Sequence, residues 1–283
     1  MTRPYRSALY IPASRPRALD KARGLMADAI LFDLEDAVLP AEKAEGRQTL
    51  TAELAKGGYG NRARIVRINA LNTEWGEADA AAMANAACDG VLLPKVNGPD
   101  DLDRLAALVP DKPFWAMMET PLGIFRAADI AAHPRLAGIV MGTNDLAKDL
   151  GLRNRADRMP LLQALQISLM AARAYGRVAI DGVYNAFRDA DGLKLECEQG
   201  RDLGFDGKSL IHPDQLAIAN AAFAPLAEEV ELAKRQIVAF AEAEAAGQGV
   251  AVVDGKIVEN LHIVTAQATL AKAAAIAALE AET

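Results

Sequence analysis

Residues 113–151 read PFWAMMETPLGIFRAADIAAHPRLAGIVMGTNDLAKDLG, and this stretch decides the fold. It holds two short apolar runs, each giving way to polar residues that include a carboxylate. In the first, 114–118 is unbroken hydrophobe, followed by Glu119, Thr120 and Pro121. In the second, 136–141 is interrupted only by Gly138 and yields to Gly142, Thr143, Asn144 and Asp145. Strands buried on both faces have no solvent side and so read as continuous apolar runs. The interval 122–132 is helix-sized, and Pro134 disfavours helix at His133. The unit therefore reads strand, helix, strand, with an acid where each strand stops. In a parallel α/β barrel those ends open onto one face. Glu119 and Asp145 meeting there fit a Mg²⁺ site, because a hard dication takes oxygen ligands. Taken singly, each acid fits a helix cap equally well. The recurrence of the pattern along the chain is what argues for a site.

Upstream, 7–12 is a first strand, and Ser14 fits the cap of a helix carrying Arg17, Asp20, Lys21 and Arg23. That helix reads either as an anion site or as a solvated basic face. The run AILFDL at 29–34 meets Glu35 and Asp36. The run RIVRI at 64–68 carries Arg67, with Asn69 just beyond. Arg67 fits a bidentate clamp on a substrate carboxylate or a surface ion pair. A fourth strand at 90–94 finishes at Lys95. Downstream, the polar loop 150–159 is longer than most connections, which makes it a lid candidate. Strands at 177–181 and 208–211 complete eight repeats. The expected architecture is an α/β (β/α)8 TIM barrel over 1–223. A doubly wound open sheet would normally carry a Gly-rich first turn, and Pro12-Ala13-Ser14-Arg15-Pro16 is not one. Residues 224–283 form a C-terminal extension of helix, turn segment and helix, expected to pack on its own barrel or on a neighbouring subunit. Asp254 lies in an Asp-Gly pair, a common hairpin dipeptide, so a plain turn accounts for it on the residues alone.

With 283 residues, 52% of them hydrophobic, the chain can bury one large α/β core. A formal net charge of -7 argues against nucleic acid as partner and leaves room for a local basic pocket. Cys88 and Cys197 lie far apart with no metal-type spacing, which suits a reducing, cytoplasmic setting. The first residues carry Arg and Pro and no long apolar segment, and no run approaches the roughly 20 apolar residues of a membrane span. The chain reads as helical from Asn260 to its end, and the Ala-rich tail at 269–281 as an amphipathic packing helix. GFDGKS at 204–209 fails as a phosphate loop, because position 202 is Asp and a strand follows. There is no nucleophile elbow and no H-E-x-x-H. His133 and His212 precede Pro and His262 sits among apolar residues, so neither a Ser-His-Asp triad nor a His-zinc site finds support.

Taken in order, LYIPASRPRALDKA (9–22), DLEDAV (33–38), RIVRIN (64–69), LLPKV (92–96), METPLG (118–123), MGTNDLAKDLG (141–151) and VDGKIVE (253–259) resemble the citrate lyase beta-subunit-like branch of the HpcH/HpaI aldolase superfamily. The likeness covers nearly the whole chain. It implies a TIM barrel that binds Mg²⁺ (or Mn²⁺) and an acyl-CoA and assembles as a homotrimer or homohexamer. By that resemblance Glu119 and Asp145 match the metal ligands, and Glu35 and Asp36 match an acidic pair that steadies metal-bound water. Arg67 matches the arginine that binds the substrate's carboxylate or oxo group. Ser14, Arg17 and Lys21 fall in the segment that meets the CoA phosphates, and Lys95 lines the site. Asp254 matches an acid that acts in catalysis, in relatives from a neighbouring subunit. The implied reaction is hydrolysis of a malyl-CoA thioester. The alternatives are carbon–carbon cleavage of malyl-, β-methylmalyl- or citramalyl-CoA, or service as the beta subunit of a citrate lyase.

Overall fold

The computed structural model describes residues 3–281. The chain divides into two compact units, Tyr5–Phe223 and a C-terminal unit that begins at Ala224 and also takes in the residues before Tyr5. In the first unit eight parallel strands close into a barrel: β1 (Ser7–Pro12), β2 (Ala29–Asp33), β3 (Ala63–Arg67), β4 (Gly90–Leu93), β5 (Phe114–Met118), β6 (Leu136–Met141), β7 (Val178–Asp181) and β8 (Gly207–Leu210). Pairing of β1 with β8 closes the ring. Helices alternate with them: α1 (Pro16–Lys21), α2 (Lys43–Lys56), α3 (Gly76–Asn85), α4 (Pro99–Leu108), α5 (Pro121–Phe125), α6 (Ala127–Ala132), α7 (Thr143–Asp149), α8 (Leu162–Ala174), α9 (Ala190–Leu203) and α10 (Leu216–Phe223).

Strand parity sorts the core into two layers, since successive side chains point to opposite faces. Ala29, Leu31, Ile65, Trp115, Met117 and Val140 share one cluster, the lumen. Ile30, Phe32, Val66, Ala116, Met118 and Ile139 pack in the other, against the helices. The same parity carries on past the apolar residues. Asp33 follows Leu31, Arg67 follows Ile65, and Glu119 follows Met117 onto the lumen side. The sequence of apolar residues thus delivers three charged groups to one mouth.

Three elements differ from expectation. The interval 122–132 is two short helices, α5 and α6, broken at Arg126 (φ -102, ψ 18). Ser14 does not cap α1; the cap position is Arg15, without a side-chain hydrogen bond. The loop after α7 is not free at its far end. Arg158, 5% exposed and held at φ +51, donates to both oxygens of Asp181. Asp181 also receives Lys208 Nζ at 3.1 Å, and Glu196 receives it at 2.7 Å. This ion cluster lies behind the sheet, on the side facing α9.

The C-terminal unit contains α11 (Ala227–Ala245), the hairpin β9 (Ala251–Val253) and β10 (Lys256–Val258), and α12 (Asn260–Ala281). Its core is Ala243, Ala251, Val258 and Ile263. Asp254 (φ 50) and Gly255 (φ 73) form the two-residue loop, both in the left-handed region that a primed turn demands. α12 begins at Asn260, as expected, and includes the Ala-rich tail. All 22 residues form one helix, long and apolar enough by length and composition to cross a bilayer, which corrects the reading that no run approaches that length.

Candidate active site at the barrel mouth

Every acid singled out in the barrel sequence reaches one mouth. Neither Glu119 nor Asp145 is a helix cap. Thr120 caps α5 by accepting from the Gly123 N–H at 3.0 Å, and Gly142 holds the cap position of α7. Glu119, 1% exposed, accepts from the Lys95 backbone N–H at 2.7 Å. The Lys95 ammonium lies 3.7 Å from Glu119 Oε1, 3.7 Å from Asp145 Oδ2 and 3.4 Å from Glu35 Oε1. Three carboxylates from the ends of β2, β5 and β6 therefore surround one cationic point. Gly142 keeps the space open: a Cβ there would fall 2.4 Å from Glu119 Oε2.

Arg67 stands beside them. Its Nε and Nη2 donate to Asp33 Oδ1 and Oδ2 at 2.7 and 2.6 Å, the two-pronged geometry that fixes a guanidinium plane. The Tyr10 ring lies 4.8 Å from its Cζ. Nη1 is left facing Glu35 Oε2 at 3.0 Å and Asp36 Oδ2 at 3.4 Å. The approach to Glu35 is not aligned as a hydrogen bond, and Oε2 is a buried oxygen without a hydrogen-bond partner among the described residues. Asp33 was not singled out from the sequence, yet it organises this side of the mouth. Besides Arg67, it accepts from the Glu35 N–H at 2.9 Å and the Ala37 N–H at 3.0 Å. Lys43 braces the same turn from below, donating to the Leu34 and Glu35 carbonyls and to Asn69 Oδ1.

Burial sets the protonation of this cluster. It pushes the Glu35 carboxyl up from 4.5 to about 7, against the pull of Arg67, so Glu35 exchanges its proton near neutrality. Burial also raises Glu119, with Lys95 opposing. Burial works against the Lys95 charge too, but Glu119, Glu35 and Asp145 outweigh it and raise its pKa. The mouth opens on a cavity of about 310 Å³ lined by Tyr10, Asp33, Arg67, Met117, Glu119 and Asp145 among others. A second cavity of about 320 Å³ shares Asn144 and Asn185 with it, and these two side-chain amides hydrogen-bond to each other.

Among the described residues, no three His, Cys, Asp or Glu side chains form a closed metal cage. The donor set fits Mg²⁺ nonetheless. That ion is held by one or two carboxylates and keeps its other positions for water and substrate. Glu119 and Asp145 supply two oxygens around a point where a positive charge already sits. The orphan oxygen of Glu35 supplies an acceptor for water beside it.

Ser14, Arg17 and Lys21 lie beyond the end of β1. Ser14 Oγ is buried without a hydrogen-bond partner among the described residues, while Arg17 and Lys21 are exposed. Arg23 is committed elsewhere, to Glu53 and the Gly57 carbonyl, so the basic face is smaller than the sequence suggests. Asp254 belongs to the C-terminal unit, where its Oδ1 receives Arg235 Nη1 at 2.6 Å. That pairing lowers its pKa.

A closed parallel barrel with a carboxylate-ringed cation point and a clamped arginine defines a class of enzyme site: one built to hold and polarise a small oxygen-rich anion. Residues 6–213 match the model of the HpcH/HpaI aldolase/citrate lyase family, and the chain belongs to that family. It is 64% identical over 278 residues to the (3S)-malyl-CoA thioesterase of Cereibacter sphaeroides (strain KD131 / KCTC 12085), an alignment that covers 98% of each chain. It is 35% identical to the citrate lyase subunit beta of Escherichia coli (strain K12), covering 96% of this chain and 94% of that one. Among solved structures it is similar to the protein CitE from Mycobacterium tuberculosis in complex with magnesium, acetoacetate and coenzyme A. The TM-score there is 0.80 at 31% identity, over 95% of this chain and 97% of that chain.

Proposed function

We propose that this protein is a Mg²⁺-dependent acyl-CoA enzyme that hydrolyses (3S)-malyl-CoA to malate and CoA. The observation that carries the reading is the convergence of Glu35, Glu119 and Asp145 on one cationic point beside Arg67. Identity of 64% to a thioesterase over 98% of both chains supports the choice of substrate and reaction. Glu119 and Asp145 would hold the ion. When bound, Mg²⁺ supplies a Lewis acid for the hydroxyl and carboxylate oxygens of the malyl end.

The chain's own residues then account for the rest. Asp33 holds two nitrogens of Arg67 and so fixes its plane, and Nη1, which faces Glu35 and Asp36, carries the positive charge toward a substrate carboxylate or toward negative charge developing on oxygen. Glu35 Oε2 takes a proton from water near neutral pH and can return it. The water oxygen bonds to the thioester carbon, the C–S bond breaks, and the CoA sulfur leaves with a proton. Asp36, the more exposed of the acidic pair, orients water at the rim. The family resemblance supports a second acid–base role for Asp254, whether from its own or from a neighbouring subunit. Ser14, Arg17 and Lys21 meet the CoA phosphates, and Lys95 lines the acyl end. Two buried free thiols, Cys88 and Cys197, support a reducing cytoplasmic setting. Exposed Leu261, Val264 and other apolar residues of α12 support self-association, and the family resemblance favours a homotrimer or homohexamer.

The second reading is a lyase that cleaves malyl-CoA to glyoxylate and acetyl-CoA, favoured by the 35% identity to a citrate lyase subunit. Incubation of purified protein with malyl-CoA and Mg²⁺ decides. Malate and free CoA without acetyl-CoA are expected; glyoxylate with acetyl-CoA would replace the first reading by the second.

A further inference from the structure

Lys95 is the anomalous member of the mouth. Its backbone stands at φ +52, a conformation that a long side chain keeps only where its surroundings impose it. The imposing contact is visible: the Lys95 N–H donates to Glu119 Oε1 at 2.7 Å. From that strained anchor the side chain turns back, so that one residue meets Glu119 twice, through its amide and through its ammonium. The ammonium sits 3.4 to 3.7 Å from Glu35, Glu119 and Asp145. A charge-assisted hydrogen bond to any one of them would be shorter. Nζ is therefore shared among three acids, as a bound ion would be, rather than paired with one.

The side chain is also free to leave. It is 43% exposed, whereas Glu119 is 1% and Glu35 10% exposed. It borders a separate cavity of about 530 Å³, lined also by Asn97, Asp101 and Arg104. A dication gripped by Glu119 and Asp145 at about 2 Å would press directly on the ammonium, and like charges at contact repel strongly. We propose that Lys95 is the resident counter-cation of this site: its ammonium holds Glu35, Glu119 and Asp145 together in the metal-free protein and withdraws toward the adjoining cavity when Mg²⁺ enters. The inference rests on the metal-site reading given above. It gives the three acids a defined arrangement before the ion arrives, and it makes metal affinity the net of binding and displacement.

Two measurements on the full-length protein test it, both without substrate. One is reductive dimethylation of Lys95 Nζ followed by mass spectrometry, in chelator and in saturating Mg²⁺. The other is calorimetric titration of wild type and Lys95→Met with Mn²⁺. Lys95 is expected to label at least threefold faster with Mg²⁺, and Lys95→Met to bind Mn²⁺ at least tenfold more tightly. Tighter binding with unchanged labelling would mean that Lys95 acts through its charge without moving, which overturns the displacement. Labelling slowed by Mg²⁺, or no gain in affinity, overturns it as well. A wild-type protein that binds no Mn²⁺ would instead bring down the metal-site reading itself. The labelling arm needs no variant and so does not depend on whether Lys95→Met folds.

Discussion

Asp33 shows how much of this site is decided by one side chain. It is 1% exposed and accepts from Arg67 Nε and Nη2 and from the backbone N–H groups of Glu35 and Ala37. Asn at that position keeps the shape but offers one acceptor oxygen instead of two and no charge. Asp33→Asn is expected to leave a folded protein whose kcat/KM falls about 100-fold, because a displaced clamp misplaces the reacting end of the substrate. Steady-state kinetics beside circular dichroism check this, and a loss under about twofold would contradict it. Glu35 makes a pH prediction. Its folded pKa of about 7 lies above the ordinary 4.5, so the folded state prefers the neutral acid. The stability this group contributes is full below the ordinary value and is lost as pH rises through about 7, about 3 kcal/mol in all. In chelator, Glu35→Gln should therefore gain about 2–3 kcal/mol relative to wild type between pH 4.5 and about pH 8 in denaturant unfolding. Parallel pH profiles for the two proteins would refute the effect of burial on this carboxyl. Among single residues, the sequence was informative where an acid lies just past the end of an apolar run, as at Glu119. Asp33 escaped notice because it ends its own strand inside a cluster of acids, and only the alternation Leu31, Asp33, Glu35 places it on the lumen side. Nothing in the letters LLPKV announces the positive φ that turns Lys95 back on Glu119.

Helices and strands were legible to different degrees. The β5–α5–α6–β6 unit could be read because buried strands advertise themselves as apolar runs. The break at Arg126 could not, since residues 122–132 carry no Pro or Gly at the break itself. The ion cluster behind β7 and β8 was hidden for a related reason. Lys208 reads as the polar start of a short strand, yet it is fully buried and bonded to Asp181 and Glu196. Arg158, near the far end of a polar loop, enters the same cluster and ties the loop down. Removing one partner from such a cluster strands the others without water, which typically costs about 3–5 kcal/mol. Lys208→Met is therefore expected to lower stability by that order, read as a shifted denaturation midpoint with an unchanged slope. A change under about 1 kcal/mol would mean that Arg158 alone satisfies both carboxylates.

Across the entire chain, closure of the barrel is what turns separate sequence patterns into chemistry. Glu35, Arg67, Lys95, Glu119 and Asp145 span more than a hundred residues of chain, and the ring of parallel strands brings their ends to one mouth. The barrel was legible from repeat length and strand character, as was the hairpin at Asp254-Gly255. So was the helix from Asn260 onward; what the letters hid is how apolar it is as a whole, because Asn260, His262, Gln267 and Lys272 interrupt the apolar run without interrupting the helix. The chemistry proposed for this mouth depends on Glu119 and Asp145 gripping one divalent ion. A crystal grown with Mn²⁺ and measured at the manganese absorption edge tests it most directly. A single anomalous peak is expected within about 2.2 Å of a carboxylate oxygen from each residue, with the Lys95 ammonium moved away. A peak bound elsewhere, or none at the mouth, would contradict it.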